Sequence, residues 1–255
     1  MHWLLDSDLF TSGNRFAHAA RAAGHGVTRW EDARWHNGAF RELPAPTLFR
    51  GSLQDADRLA QDGPFSPGAW CNTPAFRCQA WYPAAARWLV HPHWTLTTVA
   101  QLVDTPPATA DQVFVRPDSP LKPFSGRVIA THRITPAHLD HGYYYDDLHL
   151  PIIVAPVQML GHEWRFVACD RTIVAGSAYH PERRQPGGPV HQGPAWDLAA
   201  EVARRLTPPD PLYIIDIVET PDGLKLLELN PFSGADLYDC PPEPIVAAVA
   251  RVLDR

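Results

Sequence analysis

No two cysteines in this chain are spaced as a CxxC pair, and the four present (Cys71, Cys78, Cys169, Cys240) fit neither a zinc ribbon nor a disulfide framework. They read as reduced thiols of a cytoplasmic protein. No apolar run approaches the ~20 residues of a membrane span. The N-terminus lacks a basic segment followed by an apolar core, so neither a secretory signal nor a membrane partner is expected. The Walker pattern GxxxxGK[ST] is missing, as are repeats and low-complexity tracts. Among the thirteen histidines, His91-Pro92-His93 and His138-x-x-His141 have no partner set at metal-ligand spacing, which argues against structural zinc. Positive charge is also short. A net charge of −6 disfavours a broad nucleic-acid surface, while leaving room for a local basic groove.

What is present begins with enough apolar mass, 45% of 255 residues, to bury a substantial core. Residues 1–62 alternate strand and helix and favour a parallel sheet. Trp3–Leu5 starts a strand, Ser12 caps a helix to about Ala23, and Val27–Trp30 and Pro46–Phe49 follow as strands. Gly51-Ser52 then turns into a helix over Leu53–Gln61. Ala75–Trp88 has helical character with Phe76, Trp81 and Trp88 as core anchors, and Leu96–Val103 forms a short helix with Thr95 as its cap. Further on, Trp196–Leu206 has the spacing of an amphipathic helix, whereas His180–Pro194 is a polar, Pro- and Gly-rich loop.

The richest stretch is Leu212–Phe232. Two apolar, β-branched runs flank Thr220-Pro221-Asp222-Gly223, a hairpin signal. A three-residue loop closed by a left-handed Gly223 pairs Thr220 with Leu224 and sets Asp216 opposite Glu228, with Cβ atoms roughly 5 Å apart. Asn230 joins the same face about 7 Å along the strand. Ile215, Ile217, Leu227 and Leu229 take the other face. Three oxygen-bearing side chains on one face suit a hard cation such as Mg²⁺, which shares its oxygen ligands with phosphates. A solvated acidic hairpin would explain the same residues.

Two upstream segments bear on that choice. In Val113–Ile129 a strand delivers Arg116, a loop carries Lys122, Ser125, Gly126 and Arg127, and a strand resumes at Val128. Cations, a hydroxyl and a glycine are parts suited to folding over polyphosphate, and a solvated basic loop is the plainer alternative. In Pro151–Ser177 an apolar strand passes through Met159-Leu160-Gly161 into a second strand on which Glu163 and Arg165 share a face, and a turn at Cys169-Asp170-Arg171 leads to a third.

The order of these parts resembles the ATP-grasp superfamily, in particular a divergent clade (the R-to-K clade) related to a eukaryotic initiation-factor assembly chaperone. The stretches Arg116–Gly126, Glu163–Phe166 and Glu228–Phe232 carry the likeness, which is good over residues 113–240 and general over 1–112. It implies an α/β (α+β) fold: an N-terminal α/β lobe over residues 1–70, a central lobe over 71–155 and a C-terminal lobe over 156–255, the last two sandwiching a nucleotide. Carried over by position, Arg116 stands where a phosphate-contacting lysine is usual. The loop with Lys122, Ser125 and Gly126 covers the β- and γ-phosphates, and Lys122 with Arg165 serves the transferred phosphoryl group. The hinge through Pro156, Val157, Gln158 and Met159 reads adenine, and Glu163 holds the ribose. Asp216, Glu228 and Asn230 hold Mg²⁺. Arginine in place of lysine and a proline-rich phosphate loop are departures from the superfamily pattern.

The implied activity is ATP- and Mg²⁺-dependent joining of a small-molecule or peptide carboxylate to an amine through an acylphosphate. A non-catalytic ATP-binding scaffold is the alternative, with an RNA-end ligase third. Residues 117–127 and 180–194 are expected to order only when nucleotide binds.

Overall fold

A computed structural model of the protein describes residues 1–6, 8–10, 13–108, 110–140, 147–180 and 185–255. The proposed helix cap Ser12 and the His138/His141 pair therefore lie at least partly outside the described residues. The chain divides into two compact units: one comprises 1–72 with 161–255, the other 73–160. Among the described residues no helix is long and apolar enough to cross a membrane.

The first unit opens with parallel strands β1 (His2–Leu5), β2 (Gly26–Arg29), β3 (Thr47–Arg50) and the two-residue β4 (Pro67–Gly68), in the order β2-β1-β3-β4. Helices α1 (Gly13–Ala22), α2 (Asp32–His36) and α3 (Leu53–Asp62) connect them. Ser52 caps α3, its hydroxyl accepting from the Asp55 amide at 3.0 Å. Neither α2 nor β4 is signalled by a clear periodicity in the sequence.

The second unit holds the short helices α4 (Thr73–Phe76) and α5 (Cys78–Ala85), strand β5 (Thr95–Thr98) and helix α6 (Val99–Asp104). After these come strands β6 (Gln112–Pro117) and β7 (Arg127–Ala130), helix α7 (Pro136–Asp140) and strand β8 (Pro151–Ala155). The sheet order is β5-β8-β6-β7, antiparallel throughout. Phe76, Trp81 and Trp88 are buried as expected, but the helix foreseen over Ala75–Trp88 breaks between Phe76 and Cys78. Thr95 does not cap a helix here. It starts β5, and Thr98 caps α6 in a reciprocal box with Gln101. The threonine-rich run Thr95–Thr98 suits a strand, and β8 offers the ladder that takes it.

The chain then returns to the first unit with β9 (Glu163–Cys169), β10 (Thr172–His180), β11 (Gln185–Pro189), α8 (Pro194–Arg205), β12 (Leu212–Thr220), β13 (Gly223–Pro231) and α9 (Pro242–Leu253). Its five-stranded antiparallel sheet is ordered β11-β10-β9-β12-β13. Asp170 and Arg171, both at positive φ (47° and 64°), form the two-residue turn between β9 and β10. The stretch read as a polar loop after His180 contains β11, because the edge of β10 offers it a partner.

The β12–β13 hairpin corrects the expected turn. Thr220 pairs with Gly223, not Leu224, so the loop is the two residues Pro221-Asp222. A bulge between Asp216 and Ile217 takes up the extra residue and restores Asp216 opposite Glu228. The same shift buries Leu226 fully and leaves Leu227, assigned to the core from the sequence, half-buried.

The core of this unit joins both of its sheets: Trp3, Phe16 and Leu48 pack with Val167, Leu212, Ile214, Phe232 and the α9 residues Ile245 and Val249. Phe166 on the central strand is fully buried, with its ring edge-on to Trp196 at 5.8 Å. Phe166→Ala should lower unfolding free energy by about 3–5 kcal/mol, measured by urea denaturation.

Candidate functional site

Antiparallel registers place Arg165 (β9), Asp216 (β12) and Glu228 (β13) directly side by side across three adjacent strands. The charges are complementary. Arg165 donates from Nε to Asp216 Oδ1 at 2.9 Å and from Nη2 to Oδ2 at 2.8 Å, a bidentate pair. Its third nitrogen, Nη1, donates to the Asp236 carbonyl at 2.8 Å. Of five guanidinium N–H groups, three are thereby engaged among the described residues, which leaves one on each terminal nitrogen. Burial works against the Arg165 charge, but Asp216 outweighs it by charge and hydrogen bond and holds the guanidinium protonated above its usual range.

Asn230 completes the row. Its Nδ2 donates to Asp216 Oδ2 and to Glu228 Oε2, each at 3.0 Å, so one amide bridges the two carboxylates and eases their repulsion. The three residues expected to hold a metal are thus brought together on one sheet face with Arg165. Two carboxylates and an amide make an all-oxygen ligand set, which fits a hard cation such as Mg²⁺ rather than a soft one. Glu163 lies one pleat from Arg165 on the same face. Burial first, then the charges of Asp216 and Glu228, raise its carboxyl above the ordinary 4.5, with Arg165 opposing.

In the other unit the β6–β7 hairpin carries Arg116, Lys122, Ser125 and Gly126. Arg116 is buried, whereas Lys122, Ser125 and Gly126 are exposed. Gly126 has a steric reason: a Cβ there would come within 2.9 Å of the Phe114 ring. The loop is better anchored than its composition suggests. Phe124 is buried, and Asp118, 2% exposed, accepts from the Gln79 amide at 2.8 Å and from Gln79 Nε2 at 2.7 Å. Lys122 sits at φ 48°, a backbone setting uncommon for a non-glycine residue.

Pro156, Val157, Gln158 and Met159 leave β8 at the other end of β6. Ala155 pairs with Phe114, whereas the phosphate-loop candidate begins after Pro117, three residues and about 10 Å further along the strand. His91 fixes this exit. Its Nδ1 lies 3.2 Å from the Pro156 carbonyl and its ring stacks on Phe114 at 4.4 Å. Burial drives the His91 pKa down to about 4, so the ring is neutral and Nδ1 carries the donated hydrogen. Asp118, Asp236 and Tyr238 were also missed as site residues. Asp118 stands inside a stretch of interest, but no spacing rule marks the other two.

A parallel α/β sheet, a cationic hairpin, and an acidic hairpin neighboured by an Arg-bearing strand are the parts of an ATP-grasp protein. More narrowly, the chain belongs to family 3 of the R-to-K clade of ATP-grasp domains, whose family model matches residues 72–249. Among solved structures, a RimK domain ATP-grasp protein from Sphaerobacter thermophilus superposes with a TM-score of 0.65 at 16% identity, over 98% of this chain and 100% of that one. The D-cycloserine synthetase DcsG gives 0.66 at 17% identity over 99% of each. The ATP-grasp ligase PsnB, solved with a minimal precursor, Mg and ADP, gives 0.57 at 13% identity over 100% and 98%. No curated protein matches the chain.

Two expectations follow. Asp216→Ala leaves the Arg165 guanidinium buried without its carboxylate and should cost about 3–5 kcal/mol, whereas replacing both partners with apolar residues should cost markedly less; denaturant melts of the three variants test this. Glu163 binds its proton more tightly folded than unfolded, so its contribution is fully present below pH 4.5 and is lost as pH rises from there through its raised value. Glu163→Gln should flatten that part of the stability–pH curve and make the protein at least as stable as wild type at pH 7, as read by thermal melts.

Proposed function

We propose that this protein is an ATP-dependent ligase that joins a carboxylate to an amine. The observation that carries the reading is the contiguous network Arg165–Asp216–Asn230–Glu228, with every link at 2.8–3.0 Å. It sets two carboxylates and an oriented, permanently charged guanidinium on one face. Phosphoryl transfer requires such placement of charge more than any covalent group from the protein.

Asp216, Glu228 and Asn230 would hold Mg²⁺, which when bound neutralises phosphate charge. Arg165 directs its two remaining N–H groups at the phosphoryl group in transfer. Glu163 accepts from the ribose hydroxyls. Arg116, Lys122, Ser125 and the Gly126 backbone take the triphosphate, and Pro156–Met159 take adenine. The run of β6 between the β8 exit and the cationic loop suits the length of an extended ATP. In the reaction a carboxylate oxygen attacks the γ-phosphorus and ADP departs. The amine then attacks the acyl carbon of the acylphosphate, inorganic phosphate leaves, and the amine proton passes to water. Small-molecule and peptide carboxylates are both within this class, and a cytoplasmic setting supplies the ATP. The three-lobe division at residues 70 and 155 belongs to the same proposal.

Release of ADP that requires both a carboxylate and an amine, screened with amino acids and short peptides, tests the ligase. Tight Mg-ATP binding without turnover on any pair would instead identify a nucleotide-binding scaffold. Glu228→Gln should abolish Mg²⁺-dependent ATP binding by calorimetry while leaving the melting temperature within a few degrees. Arg116→Ala and Lys122→Ala should each weaken ATP about tenfold while AMP is hardly affected, because a charged contact to a terminal phosphate is worth ~1.5 kcal/mol or more. Equal losses for both nucleotides would remove these side chains from the terminal phosphates.

A further inference from the structure

Tyr238 lies eight residues beyond the acidic hairpin's Asn230, in a loop that no spacing rule singles out, yet three observations converge on it. Its backbone sits at φ 51°, in the left-handed region that a bulky side chain rarely occupies. The Arg165 guanidinium carbon lies 4.6 Å from the centre of its ring. Its ring also stacks nearly parallel on Tyr179 of β10, with centroids 4.7 Å apart and planes 14° from parallel.

The loop around it is fixed at both ends. On one side, buried Ser233 donates to the Phe49 carbonyl at 3.0 Å, and Arg50, buried beneath the Phe10, Phe16 and Phe232 rings, donates to the Ala235 carbonyl at 2.9 Å. On the other, the Asp239 amide donates to Ser177 Oγ at 3.2 Å, and Asp239 Oδ2 accepts from the Gly188 amide at 3.1 Å. Between these anchors, the Tyr238 amide donates to Asp236 Oδ1 at 3.1 Å, while the Asp236 carbonyl receives Arg165 Nη1. A left-handed conformation at a non-glycine residue is strained and persists where its surroundings over-determine it. Here the strained residue is the one that touches the arginine of the acidic row.

We infer that Tyr238 is a positioning residue: its ring, braced by Tyr179, clamps the face of the Arg165 guanidinium and keeps its two unengaged N–H groups aimed at the transferred phosphoryl group. Hydrogen bonds to Asp216 and Asp236 fix the guanidinium within its own plane but resist tilting out of it weakly. An aromatic face supplies that restraint and also shields the Asp216 pair from water. A leucine in the same place would fill volume without a π face. The inference rests on the role proposed for Arg165 in ATP-dependent ligation.

The test uses the full chain and two readouts. Solvent exchange of the Arg165 Nε–H, followed by ¹⁵N NMR without nucleotide, reports the clamp directly. Calorimetry with Mg-ATP and Mg-ADP reports its use. Wild type should bind Mg-ATP more tightly than Mg-ADP, and Tyr238→Leu should speed the Nε–H exchange at least tenfold and erase most of that difference. Tyr238→Phe keeps the face and should retain slow exchange. Tyr238→Gly relieves the φ strain, so it should melt close to wild type yet behave like the leucine variant in both readouts, which separates positioning from folding. Unchanged exchange in Tyr238→Leu overturns the inference, as does faster exchange with the ATP preference intact. Failure of the ligase reading would look different: wild-type protein would bind neither nucleotide, or would bind Mg-ATP without any ADP release that depends on a carboxylate and an amine, while the Nε–H exchange still reports the clamp.

Discussion

The pair formed by Arg165 and Asp216 is the constraint on which the site depends. Both side chains are largely buried, at 14% and 9% exposure, and neither charge could stay there alone. Because they are direct cross-strand neighbours, the register of β9 against β12 is held by charge as well as by the apolar ladder beneath. Asn230 and Glu228 are then drawn onto the same face by one bridging amide. The third nitrogen of Arg165 ties the loop after β13 to this row, so one guanidinium organises β9, β12 and that loop.

That loop gives the N-terminal parallel sheet a part in the site. Arg50 ends β3, where burial pushes its pKa down to about 10, with Asp236 and Asp6 opposing the shift. It reaches the Ala235 carbonyl next to the residue that holds Arg165. Gly234 fits closely between these elements, since a Cβ there would fall 2.0 Å from the Leu53 side chain. The residues at the end of β3 therefore set the path of the loop that presents Asp236 and Tyr238. In the other unit, the same economy appears at Asp118, which orders the cationic loop through Gln79, and at His91, which holds the β8 exit through a carbonyl.

Sequence pattern alone determined the identity of the acidic face, the cationic hairpin and the Glu163/Arg165 strand. The first and the last rest on alternation within a strand, a local rule with a period of two residues, and the hairpin on the composition of the loop between two strands. It also indicated their order along the chain, which carried the superfamily likeness. Where local rules competed, tertiary pairing chose. Thr95–Thr98 became a strand because β8 offered it a ladder, and Gln185–Pro189 joined the sheet because the β10 edge was open.

The hairpin shows the boundary most clearly. Turn chemistry suggested a three-residue loop, and the structure forms a two-residue one, yet Asp216 still meets Glu228 because a bulge absorbs the difference. The demand for paired charges on one face and buried leucines on the other is stronger than the preference of any single turn. Tyr238, Asp236, Asp118 and His91 acquired their places only when distant segments met. Asp236 meets Arg165 across 71 residues of chain, and the partners of Asp118 and His91 lie 39 and 65 residues away, separations over which no periodicity in the chain carries information.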